Sequence, residues 1–115
     1  MMPDCLFCQI LTGDVPSKEA LSTEHTYAFY DINPAAPVHV LVIPRAHITN
    51  AAHVGLEHGE ILAEMLTSAR SVAQSHGVAA TGYRLVFNVG DDALNSVPHL
   101  HLHVLGGQRM GWPPG

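Results

Sequence analysis

Residues 99–105 read His-Leu-His-Leu-His-Val-Leu, an alternation of imidazole and aliphatic side chains. A β-strand repeats every two residues, so a strand here places His99, His101 and His103 on one face and the aliphatic residues on the other, toward a core. Alternate residues along a strand lie about 6.5–7 Å apart, which leaves room for a substrate group beside the histidines. Imidazoles gathered in one cleft can act as nucleophile, acid, base or metal ligand near neutral pH.

The composition predicts one globular domain over residues 1–115. Hydrophobic residues make up 47% of the 115 residues and charged residues 13%, which argues against disorder and supplies a core. The net charge is −5 and the five Lys and Arg residues are scattered, so we expect no nucleic-acid partner. A small phosphorylated ligand fits this composition, because backbone N–H groups can bind phosphate. Without a signal-peptide pattern or a bilayer-length apolar run, we expect a cytoplasmic protein with no membrane partner.

The pattern outside the histidine stretch predicts strands joined by short connections and one long helix. The predicted elements are a short helix over 5–12, with Asp4 as its N-cap and Gly13 as its stop, strands over 19–23, 26–32 and 38–43, a helix over 56–76, and a strand over 83–89. This order predicts an α+β domain with a mostly antiparallel sheet. An edge strand with an apolar face, in so small a domain, favours a homodimer.

The histidine stretch has three interpretations. The residues are solvated histidines on an exposed face, or they bind a metal ion such as zinc, or they perform nucleophilic catalysis. Neighbouring residues favour catalysis, because Asn88 and Ser96 precede the stretch and His39 lies on the strongest predicted strand. An amide, a hydroxyl and a further imidazole could then converge on a phosphate. Cationic His103 would stabilise the negative charge that develops there.

Cys5 and Cys8 form a C-x-x-C pair with three interpretations of its own. They are small buried hydrophobic residues, or a redox pair, or half of a zinc site completed by other residues. A redox pair of the thioredoxin kind would be followed by a βαβ pattern, which is missing here.

Several blocks of this sequence resemble the histidine triad superfamily. The run SVPHLHLHVLGG (96–107) matches its triad motif, and CLFCQI, YDINP, PVHVLVIPRAH and GYRLVFN resemble its other blocks in the same order. The ending GWPPG resembles the histidine triad nucleotide-binding branch, whose members are purine nucleoside phosphoramidases. The resemblance implies an α+β domain with a five-stranded antiparallel sheet, one long and one short helix, and a homodimer with a ten-stranded sheet. It also implies a hydrolase that releases AMP or GMP from phosphoramidates or adenylates.

The resemblance also assigns roles to single residues. His101 would be the nucleophile that forms a nucleotidyl-histidine intermediate, with His103 on the phosphate and leaving group and His39 hydrogen-bonded beside them. The residues implied to hold phosphate oxygens and the leaving group are Ser96 and Asn88. The residues implied in nucleotide binding are Asp31 at the ribose, Phe7, Ile10, Phe29 and Ile32 around the base, Asn95 before the triad, and Trp112 in the tail.

Bacterial members of the superfamily with this cysteine pattern hold a structural zinc ion. By resemblance its ligands here would be Cys5, Cys8, His47 and His99. In that case His99 serves the metal ion, and only His101 and His103 face the substrate.

The loop before the triad departs from the family pattern. Members carry Ala-Gly-Gln or Gly-Gly-Gln where this chain has Ala93-Leu94-Asn95. Glycine permits positive φ and close approach to phosphate, whereas leucine does not adopt that conformation easily. The alternatives are therefore a dinucleoside polyphosphate hydrolase, a nucleotidyltransferase, a regulatory nucleotide-binding module with little catalysis, or a histidine-based metalloenzyme.

Overall fold

The computed structural model describes residues 4–114; residues 1–3 and 115, which the predicted domain includes, lie outside the described part. The elements in chain order are α1 (Leu6–Thr12), β1 (Glu19–Ser22), β2 (Thr26–Tyr30), β3 (Val38–Pro44), α2 (Gly59–Ser75), β4 (Tyr83–Val86) and β5 (Leu102–Gly106). Short 3-10 turns cover Ala51–His53, Leu56–His58 and Asp91–Ala93.

The five strands form one sheet in the order β1-β2-β3-β5-β4, and each adjacent pair is antiparallel. This confirms the predicted α+β class and the five-stranded antiparallel sheet with two helices. Strands β3 and β4 run in the same direction on either side of β5, and α2 connects them. The two central strands, β3 and β5, are therefore neighbours in the sheet although a helix and a strand separate them in the chain.

Both faces of the central sheet are covered, which explains the apolar run of β3. Val40 and Val42 pack in the core beneath α2, together with Met65, Ala69 and Val72 of that helix. Leu41 and Ile43 point to the opposite face, where they pack with Phe7 and both cysteines of the α1 region. Strand β3 is consequently buried from His39 to Pro44. Burial on both sides favours continuous Val, Leu and Ile rather than alternation with polar residues.

Both helices differ from the prediction at their N-termini. Helix α1 begins at Leu6, so Cys5 is its N-cap, and the Cys5 thiol accepts a hydrogen bond from the Cys8 backbone N–H. The prediction of Asp4 as the cap is wrong, because Asp4 lies one residue too early. Gly13 ends the helix at φ 85° as predicted. The predicted helix over 56–76 starts as a 3-10 turn, and its α-helical part begins at Gly59.

The histidine stretch is a strand only in its second half. Strand β5 begins at Leu102 because the preceding backbone bonds elsewhere: His99 N–H donates to Val97 C=O, and Leu100 N–H donates to Ile48 C=O. Strand β4 ends at Val86 rather than at residue 89, since the residues that would face its end have left the ladder. The predicted alternation nevertheless holds. Leu100, Leu102 and Val104 lie in the core beneath α2.

Within residues 4–114, neither helix combines the length and the apolar character that crossing a bilayer requires.

Candidate active site and metal centre

His101 is held by its own chain at one ring nitrogen. The Nδ1 atom lies 2.7 Å from the backbone oxygen of His99, and a carbonyl can only accept, so Nδ1 carries the proton. The other nitrogen, Nε2, therefore keeps a lone pair in the neutral ring. His101 is buried but lines a cavity on the sheet face opposite α2. This is the arrangement that a neutral imidazole nucleophile needs.

His39 and His103 form a hydrogen-bond chain between the two central strands. The backbone N–H of Ala35 donates to His39 Nδ1 at 3.0 Å, which places the His39 proton on Nε2. That Nε2–H faces His103 Nδ1 at 2.9 Å, so the His103 proton lies on Nε2. Within the described residues, His103 Nε2 is buried without a hydrogen-bond partner. The chain thus leaves one N–H group beside His101, whose ring centroid lies 5.0 Å from that of His103.

Burial keeps both rings of this chain neutral. Burial lowers the pKa of His103 to about 4, and the charges of His101 and His39 act in the same direction. Burial also lowers the pKa of His39, against a smaller opposite effect from the Asp31 carboxylate. The expectation of a cationic His103 is therefore wrong at neutral pH, because removal of the ring from water outweighs the nearby carboxylate. His103 acts as a neutral N–H donor.

We expect the free energy of unfolding to fall as pH decreases from 6.5 to about 4. Over this window the unfolded chain protonates His103 at its ordinary pKa of 6.5, while the folded protein does not. The stabilisation is complete above pH 6.5 and is lost toward pH 4. Urea unfolding at several pH values should show a shallower slope for His103→Gln than for wild type. The exposed-residue control His53→Gln should keep the wild-type slope, and equal slopes for all three proteins would contradict the expectation.

The cavity beside His101 has a volume of about 360 Å³, within the range of small-molecule sites. Its floor is apolar and its rim carries a carboxylate, a hydroxyl and two imidazoles. The predicted site residues that line it are Phe7, Ile10, Phe29, Asp31, Ile32, Ser96, His101 and His103. Phe7 packs edge-on against Phe29, with ring centroids 5.4 Å apart, and against His101 at 5.1 Å. The cavity thus places an apolar slot next to the free imidazole nitrogen.

Asp31 holds two positions in the structure. Its Oδ1 accepts the Asn33 backbone N–H at 2.8 Å, an Asx turn that closes the loop after β2. Its Oδ2 lies 3.5 Å from His39 Nε2. A carboxylate offers about four lone-pair positions, so both contacts leave acceptor capacity toward the cavity. Asp31 can therefore shape the turn and receive a ligand hydroxyl.

Two predicted site residues lie elsewhere in this chain. Asn88 and Trp112 line a separate groove beside β4, together with Leu94. Trp112 is also 83% exposed, so its own protomer does not bury it. Asn95 lies between the groove and the cavity, and its Oδ1 is buried without a partner among the described residues. The structure thus gathers the base, ribose and triad residues but leaves Asn88 and Trp112 outside the cavity.

Leu94 has the backbone conformation that glycine would have at this position. Its φ of 62° is the single positive value among the non-glycine residues that the structure describes. The left-handed conformation costs a residue with a Cβ roughly 1–2 kcal/mol. The loop before the triad therefore keeps its turn despite the departure from the family pattern, and the chain carries the strain.

We expect Leu94→Gly to stabilise the protein by about 0.5–1 kcal/mol. The left-handed strain disappears, and the greater freedom of glycine in the unfolded chain returns only part of that gain. Little apolar contact is lost because Leu94 is 84% exposed. Leu56 is a matched control, fully exposed at an ordinary φ, and Leu56→Gly should destabilise the protein. Urea unfolding with the same sign for both variants would contradict the strain.

A second cluster lies behind the triad on the same sheet face. The ligand atoms of Cys5, Cys8, His47 and His99 all lie within 4.8 Å of one another. His99 Nε2–H donates to the Pro44 carbonyl at 2.9 Å, which leaves the Nδ1 lone pair facing the two thiols. Burial raises the pKa of the Cys5 thiol and lowers the pKa of the fully buried His99. Two soft thiols and two imidazoles form a donor set that suits zinc.

The spacing of these atoms fits a tetrahedral zinc ion. Bonds of about 2.3 Å to sulfur and 2.0–2.1 Å to nitrogen place sulfur and nitrogen ligands about 3.5 Å apart. The observed S···N distances are 3.3 and 3.5 Å from His99 to Cys5 and Cys8, and 3.4 Å from His47 to Cys8. All four positions are taken by protein, as in structural sites.

Asp31, His39 and His103 also lie close enough together to suggest a metal site. The two imidazole nitrogens are 2.9 Å apart, however. Two nitrogen ligands of a tetrahedral zinc ion would lie about 3.3 Å apart. This distance indicates a hydrogen bond, and it argues against the histidine-based metalloenzyme.

The groups that sequence reasoning missed are mostly backbone groups. The carbonyls of His99 and Pro44 and the N–H of Ala35 fix the three ring tautomers. Every residue type carries such groups, so no sequence signal identifies them. The cavity also receives Val15, Pro16 and Ser17 from the loop after α1, and the Gly13 stop followed by Pro16 indicates only that the chain turns there.

Comparison with known proteins agrees with this geometry. The HIT domain family profile matches residues 12–110. A 14 kDa zinc-binding protein from Zea mays is 42% identical over 112 residues, covering 96% of this chain and 87% of the relative. A HIT family hydrolase structure from Clostridium thermocellum superposes with a TM-score of 0.94 at 43% identity, covering 96% of each chain. A histidine triad nucleotide-binding protein from Candida albicans has a TM-score of 0.81 at 29% identity, covering 97% of this chain and 85% of the other. The profile spans most of the chain, and the protein therefore belongs to the HIT domain family.

Proposed function

We propose that this protein is a hydrolase that cleaves purine nucleoside 5′-phosphoramidates or adenylates through a nucleotidyl-histidine intermediate and releases AMP or GMP. The observation that carries the proposal is the His101 ring, whose Nδ1–H is held by the His99 carbonyl at 2.7 Å while Nε2 stays free at a cavity. The HIT family hydrolase from Clostridium thermocellum supports the reaction class.

The proposed reaction has two displacements at phosphorus. His101 Nε2 first bonds to phosphorus while the bond to the leaving amine breaks, and the amine departs with a proton from solvent. The imidazolium formed on His101 stays hydrogen-bonded to the His99 carbonyl through Nδ1–H. Water then bonds to phosphorus, the P–Nε2 bond breaks, and the nucleoside monophosphate leaves. Neutral His103 donates its Nε2–H to a phosphoryl oxygen, where negative charge develops.

The cavity supports a nucleotide rather than a bare phosphate as the substrate. Phe7, Ile10 and Phe29 supply an apolar slot for a purine base, with Ile32 at its exposed edge. Asp31 accepts hydrogen bonds from the ribose hydroxyls through the lone pairs that its turn leaves available. Ser96 lies on the rim beside the triad and binds a phosphate oxygen.

We also propose that Cys5, Cys8, His47 and His99 hold a structural zinc ion. When bound, the ion supplies a cross-link between α1, the segment after β3 and the segment before β5, and no substrate chemistry. The S···N distances of 3.3–3.5 Å and the hydrogen bond from His99 to Pro44 support this assignment. The zinc-binding protein from Zea mays supports it as well.

A homodimer is the third part of the proposal. Strand β4 is an edge strand, and exposed Leu85, Val89 and Trp112 lie on or near it. Pairing of β4 with the same strand of a second copy would extend two sheets into one of ten strands. It would also bring Asn88 and Trp112 close to the partner's surface. Light scattering of the purified chain should give twice the monomer mass, and a monomer at micromolar concentration would contradict the dimer.

The experiment that tests the activity compares three substrate classes with one enzyme preparation. Purified protein is mixed with adenosine 5′-phosphoramidate, an aminoacyl-adenylate analogue or a diadenosine polyphosphate, and AMP is followed by chromatography. We expect AMP from the first two at a much higher kcat/KM than from the third. Faster cleavage of the polyphosphate indicates the dinucleoside polyphosphate hydrolase. Tight AMP binding without turnover of any substrate indicates the regulatory module.

A further inference from the structure

We propose that metal ligation by His99 positions the nucleophile, so that the metal centre fixes the tautomer and orientation of the His101 ring. This inference rests on the function proposed above for His101. One residue serves both sites: the His99 ring faces the two thiols through Nδ1, and the His99 backbone oxygen accepts the His101 Nδ1–H at 2.7 Å. His99 is therefore a positioning residue that never touches substrate.

The sheet does not hold the His99 carbonyl in place. Strand β5 begins at Leu102, so residues 99–101 lie outside the ladder of hydrogen bonds. The local anchors are the His99 N–H on Val97, the Leu100 N–H on Ile48, and the His99 ring itself. The ring is held at Nε2 by the Pro44 carbonyl at 2.9 Å. Ligation of Nδ1 would fix its other end, and with it the direction of the carbonyl that holds His101.

A second contact joins the same two sites. Phe7 lies between the two cysteines in the sequence and packs edge-on against both histidines, with ring centroids 6.0 Å from His99 and 5.1 Å from His101. Helix α1 has only seven residues, and the Cys5 thiol caps it. Such a short helix is marginal in isolation, so a metal ion on Cys5 and Cys8 would hold Phe7 against the nucleophile.

His47 provides a matched comparison within the same cluster. It contacts Cys8 at 3.4 Å and packs against the His99 ring with centroids 4.9 Å apart, but it has no recorded contact with His101. His47→Ala and His99→Ala each remove one ligand, and His99→Ala keeps the backbone carbonyl because every residue has one. A purely structural metal ion predicts similar kinetic losses for both variants. Positioning through His99 predicts a larger loss for His99→Ala.

The test uses the full chain saturated with Zn²⁺ and reads both rate and tautomer. We expect His99→Ala to lower kcat by about 10- to 100-fold, with a much smaller change in KM. The kcat loss of His47→Ala should be at least about tenfold smaller. Long-range ¹H–¹⁵N spectra should show His101 as the Nδ1–H tautomer in wild type and as an averaged mixture in His99→Ala. Equal kcat losses in the two variants, or an unchanged tautomer, would overturn the proposal.

A second measurement needs neither the variants nor a substrate. Wild-type protein is compared with and without Zn²⁺ by the same spectra, at a temperature where circular dichroism shows both forms folded. We expect the His101 tautomer to average when zinc is removed and to return when it is restored, whereas identical spectra refute the coupling. If wild type cleaves no phosphoramidate, the proposed function fails, but this comparison still tests the coupling.

Discussion

Replacing His101 with alanine should lower the rate of AMP release from adenosine 5′-phosphoramidate by about four to six orders of magnitude. Loss of a covalent nucleophile has effects of this size because no other group takes over the attack. His101 is held through Nδ1 by the His99 carbonyl, and no other imidazole at the cavity has the same support. The measurement is single-turnover release of AMP at pH 7.5, with enzyme in excess.

Two further variants make this prediction specific. His101→Gly leaves space for a free imidazole molecule, and added imidazole should restore part of the rate, since the cavity keeps its apolar slot and its His103 donor. His53→Ala, at an exposed histidine, should keep the wild-type rate. If His101→Ala releases AMP as fast as wild type, the nucleotidyl-histidine mechanism is wrong.

Removing zinc should lower the melting temperature of the protein by more than about 10 °C. The proposed ligands come from three separate parts of the chain, and a ligand present at about 1,000 times its Kd stabilises the folded state by about 4 kcal/mol. For a domain of this size, each kcal/mol shifts the melting temperature by roughly 4 °C. The measurement is thermal unfolding with and without a chelator, followed by addition of Zn²⁺.

The control for this prediction removes the site rather than the ion. A Cys5→Ser, Cys8→Ser double variant should melt near the temperature of the chelated wild type, and the chelator should not lower it further. Affinity for zinc should weaken in acid, because the thiols must lose protons to bind and burial raises the pKa of Cys5. A wild-type melting temperature that ignores both chelator and added zinc would contradict the metal centre.

The sequence predicts the sheet well because its two central strands are strongly patterned. Residues 38–44 are apolar on both faces and residues 99–105 alternate, and each pattern corresponds to what packs against the strand. The start of β5 could not be predicted, because it depends on Leu100 bonding to Ile48, a residue 52 positions earlier in a loop. Alternation alone reports which face a residue occupies, whereas the hydrogen-bond partner is set by the tertiary fold.

The candidate site divides in the same way. Side chains with distinctive chemistry, such as His101, Asp31 and the two cysteines, are found from the sequence and its family resemblance. The charge state of His103 is not, because a pKa of about 4 results from burial that only the packed structure defines. The positions of Asn88 and Trp112 beside β4, outside the cavity, likewise follow from where the edge strand ends.

The pairing of β3 with β5 has a consequence for how this chain folds. Strands β1, β2 and β3 form one continuous meander, while β4 and β5 form a separate pair that reaches β3 only after the α2 connection. His39 belongs to the first unit and His103 to the second, 64 residues later. Joining two units so distant in sequence is the slow kind of step in folding. In a refolding experiment, recovery of nucleotide binding would therefore report the docking of the two units, after helix and hairpin signals have already appeared.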